Sequence, residues 1–185
     1  MKEDLRVLRT KKLLLNSLLK LTIDDGRKLA DISVQEICEE AMVHRTTFYR
    51  YYTDKYDLLF QQASPFDPFS NENRRKNIVA PFTFFLENAP FPNHEKLILN
   101  NMDDIHLQET IHSNVMKQLT KDLSEFISLK TLPVPLEIAV QVYANTIGNL
   151  LTYWLKNDKQ PDAATMDQYL RATLNPFYFD LLSDE

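Results

Sequence analysis

The fold of the N-terminal part is decided by residues 33–59, which read SVQEICEEAMVHRTTFYRYYTDKYDLL. Ser33 and Glu36 have the spacing of a capping box, in which the hydroxyl and the carboxylate satisfy backbone N–H groups at the start of a helix. After this short helix, the sequence predicts a tight turn and a second short helix at about 45–51. Two short helices joined in this way are typical of a helix-turn-helix, whose second helix enters the major groove of DNA.

The second helix and the residues just after it are rich in groups that recognise nucleic acid. Guanidinium and ammonium groups, hydroxyls and a methyl are the types that bind base edges and phosphate oxygens. The residues alone leave two interpretations open, DNA binding and a solvated helix with aromatic anchors in a core. The residues concerned are Arg45, Thr46, Thr47, Tyr49, Arg50, Tyr51 and Lys55.

The composition of the whole chain argues against several other classes of protein. Only two of the 185 residues are glycines, which nearly excludes Gly-rich phosphate loops and dinucleotide-binding motifs. The single cysteine excludes an intrachain disulfide framework, and it favours a reducing, cytoplasmic location. The uncharged stretch 138–155 has the length of a membrane span, but polar side chains share one face of it. We therefore expect a buried helix and no membrane segment.

Helical patterning continues through almost all of the chain, and we find no convincing strand. Breaks in this pattern fall at 64–73, 89–92 and 131–135, where prolines and small polar residues cluster. We place the domain boundary at the first break, between residues 1–62 and 63–185. The predicted fold class is all-α, with an N-terminal three-helix helix-turn-helix head and a C-terminal helical bundle.

The helix predicted at about 136–157 is apolar over close to half of its surface. This arc is wider than the stripe of roughly 100° that a single core requires, so we predict that the helix also meets a second copy of the chain. A central helix in a monomeric bundle is the alternative. Together with the final helix, the predicted homodimer interface comprises Val140, Tyr143, Ile147, Gly148, Leu151, Trp154, Tyr169 and Leu170.

The C-terminal part also carries apolar residues that suit the wall of a ligand pocket. Such pockets are mostly hydrophobic, with few polar groups, and they would take a small apolar or aromatic effector. The competing interpretation is that these side chains only fill the core, and His112 in particular fits a core histidine as well as a ligand contact. The candidate wall residues are Phe82, Phe85, Phe91, Met102 and His112.

Motifs for catalysis are missing from the sequence, so we expect no enzyme, no catalytic residue and no cofactor. The chain has no nucleophile motif, Walker loop or zincin signature. Asp103 and His106, and likewise Glu109 and His112, stand one helical turn apart. We interpret these pairs as surface interactions and expect no metal, although a helical metalloenzyme stays open until purified protein is analysed for metal.

Residues 33–59 resemble the DNA-binding head of the TetR family of bacterial transcriptional regulators. The resemblance is carried by Val34, Ile37, Ala41, Val43, the run TFYRYY at 47–52, Asp54, Lys55, Leu58 and Leu59. The body is similar to the effector domain of that family at GNLLTYWLKND (148–158). The resemblance implies an all-helical homodimer that binds a palindromic operator in double-stranded DNA. It also implies a repressor whose C-terminal domain binds a ligand, dimerises and releases the operator when ligand is bound.

By position in that resemblance, we assign His44, Arg45, Thr46 and Arg50 to base edges and Thr47, Tyr49, Tyr51 and Lys55 to phosphates. Two residues depart from the family pattern, because Met42 and His44 stand where Gly and Ser are usual. A non-Gly residue disfavours the backbone of that turn, and His is a poorer helix cap than Ser. These departures keep an alternative open, a TetR-fold coactivator or protein-interaction module that does not read DNA specifically.

Overall fold

The computed structural model describes residues 5–63, 71–88, 91–126, 132 and 134–174. Within these ranges the chain is all-helical and has no strand, which confirms the predicted all-α class. The α-helices are α1 (Leu5–Leu19), α2 (Val34–Glu40), α3 (Arg45–Tyr51), α4 (Lys55–Ala63), α5 (Asn71–Val79), α6 (Pro81–Glu87), α7 (His94–Asn100), α8 (Ile105–Phe126), α9 (Leu136–Lys156) and α10 (Ala163–Thr173).

Contacts divide the chain into two compact units. The first combines Met1–Asp67 with Pro90–Gln108, and the second combines Pro68–Ala89 with Glu109–Glu185. The residues around α7 therefore pack with the N-terminal helices, a grouping that a single boundary after residue 62 does not include.

The first unit is built on the packing of α1 against α2 and α4. Leu14 and Leu18 of α1 are fully buried, and so are Phe48 of α3 and Leu58 of α4. Burial of side chains of this size is the main stabilising contribution to a small helical unit. Because Phe48 is the buried anchor of α3, the opposite side of that helix faces outward.

The segment around α7 is held to this unit by polar contacts. Asn101 is fully buried, and its Oδ1 accepts a hydrogen bond from the backbone N–H of Leu29 at 2.6 Å. The Tyr56 hydroxyl donates to Asp104 at 2.9 Å, and Lys28 forms an ion pair with Asp103. These contacts explain why residues 90–108 belong to the first unit.

The predicted capping box at the start of α2 is confirmed. Ser33 Oγ accepts from the backbone N–H of Glu36 at 3.2 Å, and the Ser33 N–H donates to the Glu36 carboxylate at 2.8 Å. Arg27 pairs with the same carboxylate at 2.9 Å. The bonds from Ser33, followed by the one from Arg27, lower the pKa of Glu36 from its ordinary 4.5 to about 2.

The capping box therefore predicts a pH dependence of stability. A carboxylate whose pKa is lowered by folding stabilises the folded chain above its unfolded pKa, and this contribution is lost as pH falls. We expect it to disappear between about pH 4.5 and pH 2. In Glu36→Gln, which keeps the box but has no charge, this component of acid denaturation is expected to be absent. Glu39→Gln on the same helix is the matched control; equal acid denaturation of all three chains would contradict the prediction.

The second unit has its core around α9. Trp154 and Tyr143 are its largest fully buried side chains, and the Tyr143 hydroxyl donates to the backbone carbonyl of Ile78. At the start of α6, the Asp167 carboxylate of α10 accepts bonds from the Phe82 N–H at 2.9 Å and the Thr83 hydroxyl at 2.6 Å. A buried carboxylate thus fixes α10 against α6.

Candidate functional site

The turn between α2 and α3 exposes Met42 and His44, the two residues that depart from the TetR pattern. Met42 has a φ of 53°, in the left-handed region that non-Gly residues seldom adopt, and it is 94% exposed. His44 is the N-cap of α3, but its side chain makes no capping hydrogen bond. Met42 therefore has the disfavoured backbone conformation expected from the sequence, and His44 provides no side-chain cap. The helix nevertheless spans the predicted Arg45–Tyr51.

One continuous face of α3 carries four of the predicted contact residues. At roughly 100° per residue, Arg45, Tyr49, Thr46 and Arg50 fall within an arc of about 140°. All four side chains are exposed, whereas Phe48 on the other side is buried. We call these four residues the α3 arc; it presents two guanidinium groups and two hydroxyls to solvent.

Three of the other predicted contact residues border this arc. His44 is exposed at the N-terminus of α3, and Thr47 and Tyr51 are half-buried beside the arc. Lys11 of α1 places its ammonium 5.8 Å from the centre of the Tyr51 ring, at cation–π distance. Tyr52 is buried, as expected for a core aromatic residue.

Lys55 has a structural role that the sequence did not indicate. Its ammonium donates to the backbone carbonyls of Ala30 at 2.8 Å and Ile32 at 2.7 Å. Burial lowers the pKa of Lys55. Two of its three N–H donors are thus engaged inside the unit, so its predicted phosphate contact stays a prediction and needs to be separated from folding.

Replacing Lys55 by Met is expected to destabilise the chain by about 1–3 kcal/mol, because two backbone carbonyls lose a charged donor. The measurement is urea unfolding followed by circular dichroism. Lys12→Met, at an exposed lysine of α1, is the control and should change stability by less than about 0.5 kcal/mol. Equal stability of the two variants would show that the carbonyl bonds contribute nothing.

A surface depression of about 460 Å³ lies beside the first residue of α3. The sequence analysis did not predict this depression, because its lining comes from α2, from the turn that follows and from Arg45. The lining residues are Gln35, Cys38, Glu39, Met42, Val43, His44 and Arg45.

The predicted ligand-pocket residues are divided between the two units. Phe82 is buried with its ring 5.5 Å from that of Trp154, and Phe85 lies 6.5 Å from the same ring. Phe91 and Met102 belong to the first unit. His112 is exposed, which corrects its assignment to a core or a pocket wall. For Phe82 and Phe85, the core-filling interpretation fits the contacts better.

Half of the predicted dimer residues are unavailable to a second chain. Val140, Tyr143, Trp154 and Leu170 are fully buried in the core of the second unit. Ile147 and Leu151 are partly buried against the same core, while Gly148 and Tyr169 are exposed. The apolar stripe of α9 was correctly located, but it covers the chain's own core, and the predicted interface must be revised accordingly.

The outer side of α9 also carries large apolar side chains. Ile138 is 50% exposed, Val142 46% and Tyr153 53%, and Tyr169 of the neighbouring α10 is 48% exposed. The stretch 138–155 contains no charged residue. We call these four residues the α9 outer face; on α9 the exposed amides of Asn145 and Asn149 lie on the same side of the helix.

Asp103 and His106, the first of the two predicted acidic and histidine pairs, each have another partner. Asp103 binds Lys28, and the His106 ring lies 6.0 Å from that of Tyr56. Among the described residues, no group of three or more His, Cys, Asp or Glu has an arrangement that could hold a metal ion.

In the part of the chain that the structure describes, none of the helices is both long enough and apolar enough to cross a membrane. Comparison of the sequence with protein-family models and with curated proteins gives no match. The resemblance to the TetR family therefore rests on the residues quoted above.

Proposed function

We propose that this chain is a TetR-like transcription regulator that binds double-stranded DNA through the α3 arc. The observation that carries the proposal is the composition of that arc, because two arginines and two hydroxyls share one exposed face of a short helix. Arg is the commonest side chain to bind guanine bidentately, and hydroxyls bind either bases or phosphates.

The surrounding helices support a helix-turn-helix head. α2 and α3 are short, pack on each other and are joined by residues 41–44, while α1 packs against both α2 and α4. The capping box fixes the start of α2, and buried Phe48 fixes the rotation of α3. In a helix-turn-helix of this kind, the outward face of the second helix meets base edges.

The regulator that we propose is a homodimer on a palindromic operator. Its interface lies on the α9 outer face, which shares only Tyr169 with the residues first predicted, because these four side chains are exposed in the single chain. An isologous interface repeats each contact across a two-fold axis, and a two-fold protein presents its recognition helices symmetrically to a palindrome.

We also propose that a bound effector releases the regulator from DNA. A small apolar or aromatic effector that favours one arrangement of the C-terminal helical bundle would lower operator affinity by linkage, as expected of a cytoplasmic, ligand-responsive repressor. A thermal-shift screen of such metabolites tests this part separately. Absence of any stabiliser would leave a bundle that only dimerises.

A protein-interaction module that does not read DNA specifically is the second candidate. Met42 favours it, because a methionine that is 94% exposed on a strained turn suits an adaptable protein contact. Under this alternative, Met42→Ala weakens the binding of a protein partner, while arginine variants of α3 have no effect on DNA selectivity.

The two arginines of the α3 arc give a sharp test of DNA recognition. Arg45→Ala and Arg50→Ala are each expected to weaken operator binding by about 1–3 kcal/mol and to relax specificity at one base pair, because each removes a bidentate donor. The measurement is a binding titration against operator variants with single base-pair changes. Lys117→Ala, at an exposed lysine of α8, is the control; a uniform loss across all sequences would reassign the arginines to phosphate contacts.

A further inference from the structure

Arg45 and Tyr49 are the i and i+4 members of one exposed ridge on α3. The guanidinium carbon of Arg45 lies 5.8 Å from the centre of the Tyr49 ring, within the distance at which a cation is attracted to an aromatic face. An Arg45 Nη also lies 3.4 Å from the Tyr49 hydroxyl oxygen. This distance is at the outer limit of a hydrogen bond, so the contact with the ring is the more substantial of the two.

The Tyr49 ring is itself held by the core. It stands edge-to-face against Phe48, with ring centres 5.4 Å apart and an angle of 79° between the planes. Phe48 is fully buried. The rigid core thus orients an exposed ring, and that ring lies beside the Arg45 guanidinium.

Arg50 provides a natural contrast on the same helix. It is exposed like Arg45, but among the described residues it makes no hydrogen bond, ion pair or ring contact. An arginine without such support loses more side-chain freedom when it is immobilised in a complex.

We propose that Tyr49 is a positioning residue, which holds the Arg45 guanidinium ready for a base edge and makes Arg45 the pre-organised arginine of the α3 arc. The proposal rests on DNA binding as the proposed function and identifies how that site achieves selectivity. It differs from the earlier assignment of Tyr49 to phosphate, because the ring and not the hydroxyl carries the effect. Arg45 keeps four of its five N–H donors for a base.

The first test uses the free protein and needs no DNA. Order parameters of the arginine Nε–H groups, measured by ¹⁵N relaxation, report side-chain mobility on the ps–ns timescale. We expect a higher value for Arg45 than for Arg50, and a fall of the Arg45 value to that of Arg50 in Tyr49→Leu. Tyr49→Phe keeps the ring and should keep the Arg45 value. Equal mobility of the two arginines in the wild type would overturn the proposal.

The second test is a double-mutant cycle on the selected operator. Tyr49→Leu should weaken binding on the order of 2–5-fold, with the loss of selectivity at the same base pair that Arg45→Ala relaxes. In the Arg45→Ala background, Tyr49→Leu should have no further effect. Tyr49→Phe should bind like the wild type.

Two outcomes of this cycle contradict positioning. If Tyr49→Phe loses as much affinity as Tyr49→Leu, the hydroxyl acts directly, as a phosphate contact would. If Tyr49→Leu weakens binding equally with and without Arg45, the ring acts independently of that arginine.

Failure of the proposed function has a different signature. A wild-type protein that selects no DNA sequence removes the DNA function, while the relaxation experiment still decides whether Tyr49 restrains Arg45. Circular dichroism checks that each variant is folded. Should Tyr49→Leu not fold, Tyr49→Gln takes its place, because Gln has a high helix propensity and also removes the ring.

Discussion

Replacing Arg74 by Met is expected to destabilise the second unit by about 3–5 kcal/mol, because it leaves the Asp122 carboxylate buried without its cation. Arg74 Nε donates to Asp122 Oδ1 at 2.6 Å, and the two side chains are almost completely buried. The same guanidinium also pairs with Glu125. Chemical denaturation followed by circular dichroism measures the loss.

A double variant separates the buried charge from the packing. Arg74→Met combined with Asp122→Leu should recover much of the stability, since replacing both members of a buried pair by apolar residues is often close to neutral. Lys76→Met, which breaks the exposed pair with Glu87, is the control and should change stability by less than about 1 kcal/mol. If Arg74→Met loses as little stability as Lys76→Met, the buried pair does not make the expected contribution to stability.

Replacing Val142 by Glu is expected to convert the proposed dimer into monomers. Val142 lies on the α9 outer face, so an interface there would bury a new, unpaired carboxylate from each chain. Burial of unpaired charges costs several kcal/mol, which raises the dissociation constant on the order of 100-fold or more. Sedimentation equilibrium at micromolar concentration measures this change.

The same substitution elsewhere on the unit shows whether the effect is local. Val115→Glu, at an exposed valine of α8, should leave the dimer intact. A wild-type chain that sediments as a monomer would end the dimer proposal, and a Val142→Glu chain that remains dimeric would move the interface away from α9.

Local structure was predictable because its signals are local in sequence. The capping box of Ser33 and Glu36, and the bounds of the helix at Arg45–Tyr51, depend on residues within one or two turns of each other. The apolar stripe of α9 likewise follows from helical periodicity. The helix at Arg45–Tyr51 carries the candidate DNA site, which explains why its exposed residues could be proposed from the sequence.

Tertiary contacts were not predictable in the same way. Lys55 reaches carbonyls 23 and 25 residues earlier in the chain, and Asn101 binds Leu29 across 72 residues. No pattern near Lys55 distinguishes a cation that binds backbone carbonyls from a phosphate-binding one. The partner of such a group is set by the fold, which brings distant segments together.

The sequence also could not show what an apolar helix face packs against. Periodicity predicts that Val140 and Trp154 share a side of α9, but it does not tell whether that side meets the chain's own core or a second chain. His112 shows the same limit, because it falls on the apolar stripe of α8 by spacing and is nevertheless exposed. Burial depends on which helices cover each face.

Recognition of a specific DNA site by the α3 arc is tested most directly by selection of bound duplexes from a random pool, at near-physiological salt. We expect the wild-type chain to enrich one palindromic site, with half-sites about 10 base pairs or a multiple apart. A chain carrying both Arg45→Ala and Arg50→Ala should lose that enrichment while remaining folded. Weak binding that falls steeply with salt and enriches no palindrome in the wild type would contradict the proposal.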